Sequence, residues 1–158
     1  MTLITFDPYI EPANGLSIAA KFGMARVLPN PEKIAINFDA LVAVYPWKTG
    51  SRLITNENNG TSDPPTTHVS MKYDEVRTLI TKIFVRNPFE DLTAVRSSEP
   101  GDARAYVNVR DAARIVDESS GAKLYYSNMP AAIAVAERLS DITQKAPGHF
   151  LLASAALG

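Results

Sequence analysis

Eleven prolines punctuate the 158-residue chain. Proline fixes φ and removes a backbone donor, so it stays out of helix interiors and central strands. Ordered elements are therefore expected to be short and to fall between prolines. In the first unit Leu16, Ile18, Ala20, Phe22, Met24 and Leu28 alternate onto one face, broken by Arg26. A period of two favours a long strand, although the alanines also suit a helix. Asn14-Gly15 is a tight-turn pair that would fold residues 2–6 or 9–12 back on that strand, and Pro29 and Pro31 close the unit.

The next segments, Lys33–Phe38, Ala40–Tyr45 and Ser51–Asn56, are rich in β-branched and aromatic residues, and Pro46–Gly50 reads as a hairpin connection between the last two. Residues 57–67 are polar and turn-forming, and His68–Met71 reads as a further strand. The period then changes. Val76, Leu79, Ile80 and Ile83 form a stripe that predicts a helix over 73–85, ended by Asn87-Pro88. Residues 86–103 show little periodicity and read as a surface connector. Beyond them the grammar returns, with strands expected at Arg104–Val109, Ala112–Asp117 and Ala122–Ser127. A helix start follows at Asn128 and Pro130, and Ala132, Val135, Ala136, Leu139, Ile142 and Ala146 line one helical face. Pro147-Gly148 stops it, leaving His149–Leu157 as a strand or tail.

The two runs can be laid on each other. Asn37 falls on Asn108, Gly50 on Gly121 and Arg52-Leu53 on Lys123-Leu124 at one constant offset, with a one-residue slip near Asp39-Ala40 and Asp111-Ala112. Leu79 falls on Leu139 at a smaller offset, which one insertion in the 57–67 loop reconciles. The expectation is a single α+β domain of two β-β-β-α halves, residues 32–86 and 103–147, with an antiparallel sheet and two helices on one face. Residues 1–31 would be an N-terminal β extension and 148–158 a C-terminal tail. Two unrelated sheet-then-helix runs would give the same class. The unit Asn-x-Asp-Ala followed by strand, turn, strand and helix resembles small β-rich regulators of the flagellar-regulator type and short phage-encoded proteins.

Absent residue types narrow the chemistry. With no cysteine, disulfides, zinc thiolates, iron–sulfur clusters and thiol nucleophiles are excluded together. The eight glycines make neither phosphate-cradling pattern. Lys48-Thr49-Gly50 copies a fragment of penicillin-binding enzymes but lacks the accompanying S-x-x-K, so it reads as a turn. Of the two histidines, His68-Val69-Ser70 has the H-x-S form of two-histidine phosphoesterases, whereas His149-Phe150-Leu151 does not supply its partner. Neither has metal-ligand spacing, so no cofactor or metal is expected. The adjacent acids Asp74-Glu75, Glu90-Asp91 and Asp117-Glu118 diverge in direction and read as solvated faces.

Two surfaces remain. On alternating strands Arg104, Tyr106 and Arg110 share one face and Lys123 and Tyr125 another, with Arg114 between, an interleaving of cations and aromatics suited to single-stranded nucleic acid. The wet side of an ordinary antiparallel sheet carries the same residues. The second surface is made of sheet edges and the apolar tail, with Tyr45, Trp47, Phe89, Phe150, Leu151 and Leu152 as interface anchors. A formal net charge of −1 gives no global attraction to nucleic acid or lipid. The start of the chain lacks a signal-peptide pattern, and the tail is too short to span a bilayer, so a cytoplasmic protein without membrane partners is expected. The leading expectation is a non-enzymatic protein-binding or self-assembling chain, a regulator, inhibitor or phage-type accessory or structural protein. A nucleic-acid-binding regulator and a small hydrolase using His68 or His149 are the alternatives.

Overall fold

The computed structural model describes residues 2–10, 32–96 and 99–157. The alternating stretch from Leu16 to Leu28 and the Asn14-Gly15 turn lie outside the described residues. The fold is α+β with antiparallel sheets, as the sequence leads one to expect. Strands β1 (Leu3–Phe6) and β2 (Ile34–Asn37) form a two-stranded sheet. Strands β3 (Leu41–Trp47), β4 (Gly50–Thr55) and β5 (Thr66–Val69) form a meander that joins β7 (Arg104–Asn108) and β6 (Phe89–Thr93) in the order β5-β4-β3-β7-β6. A second meander, in the order β10-β9-β8, comprises β8 (Arg114–Glu118), β9 (Gly121–Tyr125) and β10 (Ala132–Val135).

Strand β3 has strands on both sides and is buried from Leu41 through Pro46, which explains its unbroken apolar run. It continues through Pro46 to Trp47, so the hairpin connection is only Lys48-Thr49, narrower than the sequence suggests. Among the described residues β7 pairs with β3 at Ala43 and Val44 and does not reach Pro46, so the N–H that Pro46 lacks breaks no bond to β7. Helix α1 (Tyr73–Ile83) lies over β3 and β4 and buries Tyr73, Val76 and Ile80. Asp74 and Glu75 sit in its first turn, where negative charge is favoured, and the Lys72 N–H donates to Glu75 Oε2 at 3.4 Å.

Two expected elements are corrected. The connector over 86–103 contains β6, paired along its length with β7. Its sequence Phe-Glu-Asp-Leu-Thr hides the strand, because an acidic pair breaks the alternation while Phe89 and Leu92 are still buried. The helix expected from Pro130 is a strand, β10, followed by the short helix α2 (Leu139–Lys145). Alanines here satisfy both periods. The open side of β9 decides between them, since β10 pairs with β9 from Ala132 to Val135. The tail is a 3-10 turn (Pro147–His149) and a short helix α3 (Ala153–Leu157).

The two halves repeat each other in strand order and register. Leu3 pairs with Asn37 as Phe89 pairs with Asn108, and Trp47 with Gly50 as Glu118 with Gly121. Likewise Ser51 faces Val69 as Ala122 faces Val135. The Phe38 N–H donates to Thr2 O at 2.9 Å, as does Val109 N–H to Pro88 O. Ser70 N–H bonds Asp7 O at 3.0 Å, and Ala136 N–H bonds Thr93 O at 2.8 Å. Both helices start alike, with Lys72 and Glu75 matched by Arg138 and Asp141. This register places Leu139 on Tyr73, not on Leu79. The repeating unit also includes β1 and β6, one strand pair more than the sequence comparison assigns it. Asn37 and Asn108 have the same task of holding a turn after the strand, accepting at 3.0 Å from Asp39 N and Asp111 N, and the one-residue slip lies there.

Candidate functional site

The halves are fused where β3 meets β7, with Ala43 opposite Val107 and Val44 opposite Tyr106. Each side of this junction enters a different core. Phe89 and Tyr106, stacked at 5.2 Å, close the core under α1, while Val42, Ala43, Tyr45 and Ile54 close the core of the second half. Charge and hydrogen bonding add to it. Arg77 reaches Asp91 at 2.6 Å and lies 4.7 Å from the Tyr106 ring, and Arg104 reaches Asp74 at 3.1 Å over Tyr73. The buried Asn108 amide donates to Leu41 O at 3.3 Å across the junction. Burial pushes the Tyr45 phenol up to about 12, against the lowering charge of Arg52, so it stays a neutral member of the core.

Away from this junction two sheet edges are open. Among the described residues, β8 pairs only with β9 and β2 only with β1. Apolar side chains accompany them, with Leu3 on β1 57% exposed and Val116 on β8 40% exposed. Leu151 and Leu152 in the tail are 74% and 72% exposed.

The expected anchors therefore separate. Leu151 and Leu152 are on the surface, Phe150 is half-buried against the second core, and Trp47 is half-buried with its ring 4.5 Å from His68. Tyr45 and Phe89 are corrected, because the junction uses both rings inside this chain. The expected nucleic-acid face is also corrected. Tyr106 lies under α1, Arg104 is held by Asp102 at 2.9 Å and by Asp74, and Arg110 by Asp111 at 3.1 Å. Arg114, Lys123 and Tyr125 lie on the other sheet, where Arg114 covers the Tyr125 ring at 4.0 Å and Lys123 meets Glu118 at 3.2 Å. Alternation along a strand correctly groups residues on one strand. It says nothing about which strands share a sheet, and that is where the expected face breaks in two. Leu3, Ala35, Ile115 and Val116 escaped the sequence reading. Carrying the internal offset through the strand pairing is the signal that finds them.

The histidines occupy separate settings. His68, on β5, has its pKa lowered by burial and by the charges of Arg52 and Lys48. His149 lies near Glu90 and Asp111. Burial raises the Glu90 pKa, opposed by the His149 charge. A cleft of about 490 Å³ between the halves is lined by residues including Tyr45, Arg52, Arg96, Glu118 and Lys123, and neither histidine reaches it. Among the described residues no cluster of three or more His, Asp or Glu could hold a metal, and no helix is long and apolar enough to cross a membrane.

The lowered His68 pKa has a defined sign in stability. Between the folded pKa and the ordinary value of about 6.5 the unfolded chain binds more protons, so stability falls as pH drops through that window. His68→Asn is expected to remove this part of the acid limb. Urea midpoints of both proteins between pH 7 and pH 5 check it, and parallel curves would refute it.

In comparisons with known proteins, the chain matches no family model, no curated protein and no solved structure.

Proposed function

We propose that this protein is a non-catalytic assembly protein, which joins other protein chains through its open sheet edges and exposed apolar tail. One observation carries the reading: among the described residues two strands, β2 and β8, end their sheets without a partner, and exposed Leu3 and Val116 lie beside those edges. An open edge presents a row of backbone donors and acceptors that another strand satisfies, and natural proteins normally blunt such edges or use them.

Light scattering on a sizing column, run over a range of loading concentrations, tests this. Species at multiples of the 17.2 kDa chain, growing with concentration, are expected. Ending the chain after Phe150 should reduce them if the tail contributes. A 17.2 kDa monomer at every concentration, with no protein retained from a lysate of the source cells, would remove the reading.

A further inference from the structure

We infer that the two open edges are complementary, and that β8 of one copy pairs with β2 of a second copy in the register that β3 and β7 use inside the chain. This rests on the assembly reading and specifies its geometry. The repeat supplies the template. Register by register, β8 stands to the second half as β3 stands to the first, and β2 stands to the first half as β7 stands to the second. Among the described residues one of the two equivalent junctions is made, β3 with β7, and the other is left over.

The exposed side chains fall where this predicts. Leu3 occupies the register of Phe89, and Val116 that of Tyr45. Phe89 and Tyr45 are 2% and 8% exposed because the internal junction covers them. Their counterparts are apolar and uncovered. At the other end, Phe150 follows α2 as Phe84 follows α1, and both are half-buried against their own cores. Phe84 meets the Phe89 ring at 6.1 Å, so Phe150 of one copy meets Leu3 of the next. The charged pairs Arg77–Asp91 and Arg104–Asp74 become Thr143 with Thr5 and Lys33 with Ser140, which brings no like charges together. Arg114 takes the place of Ala43, and its guanidinium has somewhere to stay, over Tyr125 at 4.0 Å.

The contact is heterologous, with β8 on one copy and β2 on the next, so copies add head to tail into a ring or an open series. Its register is fixed: Ile115 opposite Ala35 and Arg114 opposite Ile36, copying Val44 with Tyr106 and Ala43 with Val107.

Because the chain has no cysteine, one pair tests it directly. Directly opposite antiparallel residues have Cα atoms about 4.5–5.5 Å apart, within the ~4.4–6.8 Å that a disulfide spans. The full chain carrying Ala35→Cys and Ile115→Cys is oxidised at a concentration where the parent is assembled, then run on a non-reducing gel. A ladder of dimers, trimers and higher species that collapses on reduction is expected, while each single variant, with no thiol opposite its own, runs as a monomer. An assembled protein that gives no ladder, with circular dichroism and scattering mass of the reduced variant equal to the parent's, overturns this register but leaves the assembly reading standing. A parent that is monomeric at every concentration overturns the inference, and one that in addition retains no protein from a lysate overturns the assembly reading as well. A disulfide formed within one molecule also overturns the inference, since the edges would then close on themselves. As a second variant, Val116→Glu changes an exposed position and should return the assembly to the 17.2 kDa monomer with its fold intact. Unchanged assembly in Val116→Glu counts against the inference.

Discussion

Gly121→Ala is expected to destabilise the protein by about 3 kcal/mol or more. Two costs act together at this position. Gly121 has φ +149°, a conformation that L side chains rarely adopt, and such backbone strain costs ~1–3 kcal/mol. A Cβ placed there would lie 1.9 Å from Val135 O and 2.9 Å from the Ala136 backbone. Overpacking costs ~1–3 kcal/mol when side chains can give way, and here the obstacle is the main chain of β10. That strand would have to leave β9, to which it is paired from Ala132 to Val135. Gly50 sits at the same point of the first half, and a Cβ there would lie 2.1 Å from Val69 O. Gly50→Ala should therefore also destabilise, without the penalty of positive φ. Gly148→Ala is the control, since nothing lies within 4 Å of its Cβ and it should stay within about 0.5 kcal/mol of the parent. Urea denaturation followed by circular dichroism reads all three. A Gly121→Ala protein as stable as the control would mean that β9 and β10 do not approach as described.

These two glycines also show what a sequence of this kind reveals. Gly50 and Gly121 stand out at a constant offset because a close backbone approach admits no other residue, so the constraint is written into residue identity. The strands around them are legible for a related reason: burial on both faces imposes an unbroken apolar run, as on β3 from Leu41 to Pro46. Where an element's place depends on a partner distant in sequence, local pattern fails. Ala132–Val135 fits a helix and a strand equally well until β9 offers an open side. Phe89–Thr93 carries Glu90 and Asp91 in the middle of a strand, because Asp91 is needed by Arg77 across the junction. The candidate surface follows the same division. The exposure of Leu151 and Leu152 follows from an apolar tail beyond a proline-glycine stop. The burial of Tyr45, Phe89 and Tyr106 depends on one strand contact, β3 with β7, whose partners are far apart in the chain.

Phe89→Ala and Leu3→Ala, substitutions at equivalent points of the two halves, are expected to behave oppositely. Phe89 is buried beneath Phe84 and stacked on Tyr106, and it completes the core of the half to which it does not belong. Removing its ring leaves a cavity that the junction, pinned by Arg77–Asp91 and by Asn108 on Leu41 O, cannot collapse to fill. Truncations of this kind cost about 3–5 kcal/mol, a large part of the total stability of a domain this size. Loss should appear in both halves at once, since the same strand pair closes both cores. Leu3 has the same register on β1 but faces solvent in a single copy, so Leu3→Ala should change the monomer's stability by no more than about 0.5 kcal/mol. Its effect should appear in association instead, as a higher concentration needed to reach multiples of 17.2 kDa. Denaturation of dilute protein measures the first quantity, and light scattering against concentration measures the second. A Leu3→Ala monomer as damaged as the Phe89→Ala protein would show that the chain covers Leu3 itself, leaving no open junction for a second copy. Intact monomer stability with weakened association would locate, in one side chain, the difference between the junction the chain makes and the one it leaves to a neighbour.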